Sequence, residues 1–399
     1  MNYIEHLLSQ EQKRQDQTIR LIASENYTSS TILKALGSCL TNKYSEGYPY
    51  KRYYQGQDYI DPLETYVIDQ AKQVFQAQYA NVQAYSGSPA NMAVYAALLR
   101  PGDTIMGLSL QAGGHLTHGS SVSISGKWFH SISYGLDPES YTIDYDKLEQ
   151  LAHTHHPKVI ISGHSAYPRT IDFARIGHIA KQVGAWHVAD ISHISGLVIT
   201  GEHPHPFPHA DIIVTTTHKL LRGPRGALIL SNEEPIAKAI DKAVFPGLQG
   251  GPHMNNIAGI GLALEEAQTE AYTNYVAQVK NNAQALAQAL QNHGFSLISG
   301  RTENHLLLID LRETSMNGAQ LSSLLNQAYI ETNKNALPFD ETPPHKANGI
   351  RLGTPAVTTQ GMQEPDMKRI AQYIYDIYNG SSPEDIRSQV LDHLNQNRL

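Results

Sequence analysis

Thr215-Thr216-Thr217-His218-Lys219-Leu220-Leu221-Arg222-Gly223-Pro224-Arg225-Gly226 follows the apolar run Ile212-Ile213-Val214 and precedes Ala227-Leu228-Ile229-Leu230. Short apolar runs bounded by turn residues have the length of buried strands. Lys219 therefore stands on a polar turn between two strands. Such a turn holds an amine rigidly while leaving it able to form a covalent bond. Upstream, the apolar run Trp186-His187-Val188-Ala189 ends in Asp190, and His193 follows. An acid at one strand end and a lysine after a later strand are the two charges to be explained.

That pair suits pyridoxal phosphate (PLP). A lysine forms a Schiff base with its aldehyde, and an aspartate pairs with its pyridinium nitrogen. Other motifs gain meaning beside it. Ser86-Gly87-Ser88-Pro89-Ala90-Asn91 opens the helical pattern Asn91 to Leu99. Alone it reads as an ordinary N-cap, with Ser88 before a proline at the first helical position. With a PLP lysine elsewhere, the free N–H groups of that helix start become a phosphate site.

Gly113-Gly114-His115-Leu116-Thr117-His118-Gly119 sets two histidines in a glycine-rich turn. No third ligand has metal spacing. A ring stacked on a pyridine or a satisfied loop histidine remain the two readings. Arg351, in Asn348-Gly349-Ile350-Arg351-Leu352-Gly353-Thr354-Pro355, suits an α-carboxylate or a surface salt bridge. The dense loop Tyr44-Ser45-Glu46-Gly47-Tyr48-Pro49 with Lys51-Arg52-Tyr53-Tyr54-Gln55-Gly56 is too aromatic to be left solvated, so it lines a pocket, an interface or both. Glu46 is its candidate proton-transfer group. His203-Pro204-His205-Pro206-Phe207-Pro208-His209 reads as a stiff, solvated connection whose rings cannot converge on a metal. Phe245-Pro246-Gly247-Leu248-Gln249-Gly250-Gly251-Pro252 reads as a flexible linker near a domain boundary, with glycines that also permit close approach to a phosphate.

The 399 residues exceed one ordinary core, so two lobes are expected. A net charge of -7 disfavours nucleic acid and anionic membranes as partners. The single cysteine, Cys39, excludes an internal disulfide and reads as a small buried hydrophobe. No apolar run approaches the roughly 20 residues of a membrane span. The N-terminus lacks a basic segment followed by an apolar core, so no secretory signal is expected and the cytoplasm is the expected location.

Along the chain, the first 20 residues read as a polar arm with an amphipathic turn or two. Helical patterns follow from Asp61 to Leu99, broken by Asn81 to Tyr85. Strands are expected at Thr104–Gly107, Lys158–Ile161, Trp186–Ala189, Asp211–Val214 and Ala227–Leu230. Helices are expected at Tyr145–His153 and Asp172–Val183, the latter closed by Gly184. This alternation predicts an α/β fold with a mostly parallel sheet and catalytic groups at strand ends. Met254 to Leu290 is one long helical pattern. The strand His305–Asp310 and the helices Ala319–Gln327, Met367–Tyr378 and Pro383–Asn397 predict a smaller α+β lobe.

Taken together, these motifs resemble serine hydroxymethyltransferase, a fold-type I PLP enzyme. The matching segments run in order from Leu21-Ile22-Ala23-Ser24-Glu25-Asn26 through the Tyr44–Tyr54 loop, Ser86-Gly87-Ser88, Gly113 to Gly119, Ser165-Ala166-Tyr167-Pro168-Arg169, Thr215 to Gly226 and Gln249-Gly250-Gly251-Pro252 to Gly349–Pro355. The chain departs from the commoner family residues at Tyr85, Pro89 and Leu220.

The resemblance implies an N-terminal arm (1–25), a large PLP domain (26–275) with a mostly parallel central sheet, and a small α+β C-terminal domain (276–399). It implies a homodimer whose subunits complete each other's active sites, with PLP as cofactor and tetrahydrofolate as co-substrate. Lys219 would carry the PLP imine, with Thr216 beside it. Asp190 would hold the pyridine nitrogen protonated and His115 would stack on the ring. Ser86, Gly87, Ser88 and His218 would bind the phosphate, joined by Gly251 from the partner. Ser165 and His193 would lie near the ring hydroxyl. Arg351 and Ser24 would hold the amino-acid carboxylate. Glu46, Tyr44 and Tyr54, from the partner, would manage protons near the substrate hydroxyl. Tyr53, Leu110, Gly114, Leu116 and Asn335 would line the folate pocket. The activity implied is reversible transfer of the serine hydroxymethyl carbon to tetrahydrofolate, giving glycine and 5,10-methylenetetrahydrofolate. A folate-independent aldolase or transaldolase on β-hydroxy amino acids shares the same core. Retention of Glu46, Tyr53 and Asn335 favours the folate enzyme. A silent relative acting only by binding is disfavoured by the presence of Lys219, Asp190, His115 and Arg351.

Overall fold

A computed structural model describes residues 2–396; Asn397, where the last helix is expected to end, lies outside them. The chain forms two compact units. One spans Asn26–Val276, and the other joins the residues up to Glu25 with those from Ala277 onward.

The first unit is built on a seven-stranded sheet. Its strands are β1 (Tyr79–Asn81), β2 (Thr104–Leu108), β3 (His130–Tyr134), β4 (Val159–Gly163), β5 (Trp186–Asp190), β6 (Ile212–Thr216) and β7 (Ala227–Ser231). Their order is β1-β7-β6-β5-β4-β2-β3. Strands β3, β2, β4, β5 and β6 pair in parallel, whereas β7 runs antiparallel to both β6 and β1. Strands β4, β6 and β7 are buried at every residue. Helices cover both faces of such a sheet, which is why these strands are apolar runs and not alternating ones. Helix α1 (Gly87–Leu98) supplies Val94 and Tyr95 to the core formed with Ile161, Val188, Val214 and Ile229. The helix Phe173–Val183 starts where Asp172 accepts the Arg175 N–H and stops at Gly184, whose φ is 70°.

One consequence positions the site. Strands β2, β4, β5 and β6 point the same way, so the turns after them emerge at one edge of the sheet. The Gly113–Gly119 turn, Ser165 and Lys219 follow β2, β4 and β6, and Asp190 is the last residue of β5.

The second unit holds a four-stranded antiparallel sheet. It consists of β8 (Ser296–Leu297), β9 (Leu306–Asp310), β10 (Asn333–Asn335) and β11 (Gly349–Gly353), in the order β8-β9-β11-β10. Helices Gly318–Gln327, Glu364–Tyr378 and Pro383–Gln396 share its core, in which Leu307, Ile309, Ile350, Leu352, Ile370, Ile374 and Val390 meet. The N-terminal segment belongs to this unit through a parallel pairing of Ile19–Arg20 with Ile330–Glu331.

Several local expectations are corrected. The first residues form a continuous helix, Tyr3–Asp16, secured by a reciprocal Asn2–Glu5 capping box. Strand β3 was not expected, because His130-Ser131-Ile132-Ser133-Tyr134 is a polar edge strand with no buried apolar run. The long pattern after Met254 is two helices, Met254–Ala267 and Glu270–Asn292. Phe245–Pro252 is no linker between units: it lies inside the first unit, where extended backbone at Phe245 (φ -131°, ψ 126°) kinks the otherwise helical stretch Ala243–Leu248. Cys39 is exposed on a short 3-10 turn instead of buried. His203 is buried, with Nε2 accepting the Ile171 N–H at 3.1 Å, so its segment is packed and not solvated throughout.

Candidate active site

Asp190 ends β5 and is buried. Its Oδ2 accepts from Asn91 Nδ2 at 2.9 Å and lies 3.0 Å from His118 Nε2. Its Oδ1 accepts the Ser192 N–H at 3.1 Å. Burial alone would raise this carboxyl. The His118 hydrogen bond and neighbouring positive charge outweigh that, so Asp190 stays ionised well below the usual carboxylate range. Asn91 also reaches Thr117 Oγ1 at 2.9 Å, and that hydroxyl lies 2.7 Å from His115 Nδ1. The acid and His115 are thus fixed by one buried network. Burial, with the charges of His118 and Lys219, pushes His115 down to about 4, so its ring is neutral at physiological pH.

The Lys219 turn is pinned through its backbone. The Lys219 carbonyl accepts from Asn26 Nδ2 at 3.0 Å and from the Arg222 N–H at 3.1 Å. Thr217 Oγ1 donates to the Pro224 carbonyl at 2.6 Å, and the Leu220 carbonyl accepts the Tyr272 phenol at 3.1 Å. Arg222 sits over the Tyr275 ring, 4.2 Å from its centroid. The Leu220 side chain is fully buried beside Gly196, where a Cβ would stand 2.7 Å from Leu220 Cγ. His218 is pushed down to about 3 by burial and by the charges of Lys219 and Arg225. Its Nδ1 is buried with no hydrogen-bond partner.

At the start of α1 the N-cap is Ser86, not Ser88, and no side chain caps the helix. Ser88 and Pro89 lie within its first turn. A Cβ on Gly87 would stand 2.7 Å from Thr216 Cγ2, so only glycine lets this helix start close against the end of β6. The Thr216 N–H donates to Ser192 Oγ at 3.0 Å, which brings Ser192 to the same place. The Gly113 carbonyl accepts the Ser165 N–H at 2.7 Å, joining the His115 turn to the end of β4. His193 is buried, its ring centroid 6.3 Å from that of His164.

The Tyr44–Tyr54 loop forms a group of its own. Arg52 Nη1 donates to the carbonyls of Ser45 (2.8 Å) and Gly47 (2.9 Å), while its Nε reaches Asp61 at 2.8 Å. The rings of Tyr44 and Tyr54 meet edge to face at 5.4 Å, and both side chains are exposed. Tyr53, also exposed, packs edge to face on Phe245 at 5.7 Å. The Cβ positions of Gly250 and Gly251 lie 3.4 Å from Glu46 Oε1 and from the Tyr44 ring. Glu46, Tyr44 and Gly251 are therefore neighbours within a single chain.

Leu110, His115 and His118 share a cavity of about 490 Å³ with Ser120 and Ser131. Leu110 and Leu116 stand exposed, and Gly114 donates its N–H to the Ser109 carbonyl at 2.9 Å. The remaining candidates belong to the second unit. Arg351 on β11 donates through Nε to Asn333 Oδ1 at 3.1 Å. Burial lowers its guanidinium to about 10, still charged at neutral pH. The Gly353 N–H donates to the Leu21 carbonyl at 2.8 Å, so the segment carrying half-buried Ser24 runs beside that strand. Asn335 lies on β10 and donates to the Ala336 carbonyl at 2.7 Å.

A family model described as serine hydroxymethyltransferase matches residues 2–374. A serine hydroxymethyltransferase of Rickettsia canadensis (strain McKiel) is 52% identical over 386 residues, 97% of this chain and 92% of that protein. One from Rickettsia massiliae (strain Mtu5) is 50% identical over 395 residues, 98% of this chain and 94% of the relative. A probable serine hydroxymethyltransferase of Rickettsia bellii (strain RML369-C) is 52% identical over 374 residues, 94% and 89% of the two chains.

The chain belongs to the serine hydroxymethyltransferase family.

This family is PLP-dependent and uses tetrahydrofolate as co-substrate. The residues present fit that cofactor. An uncapped helix start pressed on β6 and the unpartnered Nδ1 of His218 are suited to a phosphate, and an ionised buried carboxylate is suited to a protonated ring nitrogen. Sequence reasoning missed Asn91, Thr117, His118 and Ser192. Asn91, Thr117 and His118 sit inside quoted motifs and Ser192 lies between Asp190 and His193, but only the fold shows that they converge on Asp190, His115 and Thr216. Among the described residues, no helix is long and apolar enough to cross a membrane.

Proposed function

We propose that this chain interconverts serine and glycine, moving the serine hydroxymethyl carbon to tetrahydrofolate to give 5,10-methylenetetrahydrofolate. The observation that carries the reading is the buried, ionised Asp190 held by His118 and Asn91 at the sheet edge from which the Lys219 turn emerges. When bound, PLP supplies an electron sink for charge that builds at Cα as the Cα–Cβ bond breaks.

The chain's residues do the rest. Lys219 Nζ holds the cofactor covalently, with Thr216 beside it. Asp190 keeps a proton on the ring nitrogen, and neutral His115 stacks on the ring without adding charge. Ser86, Gly87, Ser88 and His218 hold the phosphate with Gly251 of the partner subunit, and Ser165 and His193 stand at the ring hydroxyl. Arg351 and Ser24 hold the substrate carboxylate, which orients the bond to be broken. The partner's Glu46, Tyr44 and Tyr54 hold and move the proton of the substrate hydroxyl. Tyr53, Leu110, Gly114, Leu116 and Asn335 line the folate site.

A homodimer with shared sites is part of this reading. Tyr3, Ile4, Leu7 and Leu8 on the first helix and Tyr44, Tyr53, Tyr54 and Tyr59 stand exposed, as surfaces awaiting a second copy do. The cytoplasm, with its free substrates, is the proposed location. Serine cleavage assayed with and without tetrahydrofolate tests the reading.

A further inference from the structure

The loop bearing Gly251 is held by a single residue at three alternate positions. The Tyr85 N–H donates to Gln249 Oε1 at 3.1 Å, and Gln249 Nε2 donates to the Gln83 carbonyl at 2.7 Å. The Tyr85 phenol donates to the Gly251 carbonyl at 2.7 Å. The Tyr85 ring lies flat on the His253 imidazole, with centroids 4.1 Å apart and planes 1° from parallel. Burial pushes the phenol up from its ordinary value, so it remains a proton donor across the neutral range. Between these anchors stand Gly250, Gly251 and Pro252. Two successive glycines have the largest backbone freedom to lose, so a loop built on them presents a fixed N–H only when something holds it.

Tyr85 also immediately precedes Ser86, the N-cap of α1. Its main chain thus leads into its own subunit's phosphate helix, while its side chain grips the glycine loop. We propose that Tyr85 is a positioning residue for the neighbouring subunit's cofactor, setting the shape in which Gly251 meets that phosphate. The proposal rests on the reading that Gly251 serves the partner's site.

Two mixed dimers, each isolated through a different tag on either subunit, test it. In the first, a subunit carrying both Lys219→Ala and Tyr85→Phe pairs with an unaltered subunit. In the second, a Lys219→Ala subunit pairs with a Tyr85→Phe subunit. Each dimer has one Lys219, so visible absorbance of covalently held PLP reports one site only. That site receives the altered loop in the first dimer and the intact loop in the second. The proposal expects a PLP dissociation constant about tenfold higher in the first dimer than in the second, the effect of one lost hydrogen bond in a buried setting. Equal weakening in both dimers, as a general folding defect would give, overturns it. So does weakening confined to the second dimer, or none in either. A chain that sediments as a monomer while holding PLP at full affinity refutes the shared-site reading itself, and the proposal with it.

Discussion

His118 Nε2 lies 3.0 Å from Asp190 Oδ2, and Asn91 Nδ2 reaches the same oxygen at 2.9 Å. Two donors on one buried oxygen keep the carboxylate charged where desolvation would neutralise it. Asp190→Asn removes that charge and should lower serine cleavage at least about 100-fold, as loss of a preorganised electrostatic group does. Asn91→Ala removes one donor and should weaken PLP binding about fivefold. Steady-state rates and cofactor titrations check both.

Lys219→Ala should abolish the visible absorption band of covalently held cofactor while the fold survives, since the turn is pinned through its backbone and Thr217. Spectra and circular dichroism of the purified variant check this. An unchanged band would remove Lys219 from its role.

Much of this was legible in the sequence, and the exceptions have physical causes. The buried strands around Lys219 announced themselves as apolar runs because both faces of the sheet are covered. Strand β3 did not, because a polar edge strand looks like a loop. Lys219, Asp190 and Gly87 could be named from residue type and neighbours alone. The Asn91–Thr117–His115 link could not, since it joins α1 to a distant turn and only the fold closes it. Cysteine is among the most buried residue types, but a short 3-10 turn leaves Cys39 in solvent.

Arg351 remains charged at neutral pH although burial lowers its guanidinium to about 10. Arg351→Ala should raise the KM for serine by about 10- to 100-fold, the range for losing a hydrogen bond to a charged group. PLP affinity should change little. Arg351→Lys should recover only part of the loss, because an ammonium cannot reproduce a bidentate grip. Loss of PLP in place of serine would contradict the assignment.

Acid should destabilise the cofactor-free protein through its buried histidines. His115 and His187 are pushed down to about 4 and His218 to about 3, each chiefly by burial, from an ordinary value of 6.5. Between those values the unfolded chain binds protons that the folded chain refuses. The stabilisation is therefore complete above pH 6.5 and is lost as pH falls towards 4. Melting temperature should be flat from pH 8 to 7 and fall steadily below about 6.5. A melting temperature that held level down to pH 4 would contradict this.

The most direct test of the account is glycine formation from serine by the purified, PLP-loaded protein, measured with and without tetrahydrofolate. The account predicts rapid turnover that depends strongly on tetrahydrofolate, with the one-carbon unit recovered as 5,10-methylenetetrahydrofolate. Equal rates with and without tetrahydrofolate, or no cleavage of serine at all, would contradict it.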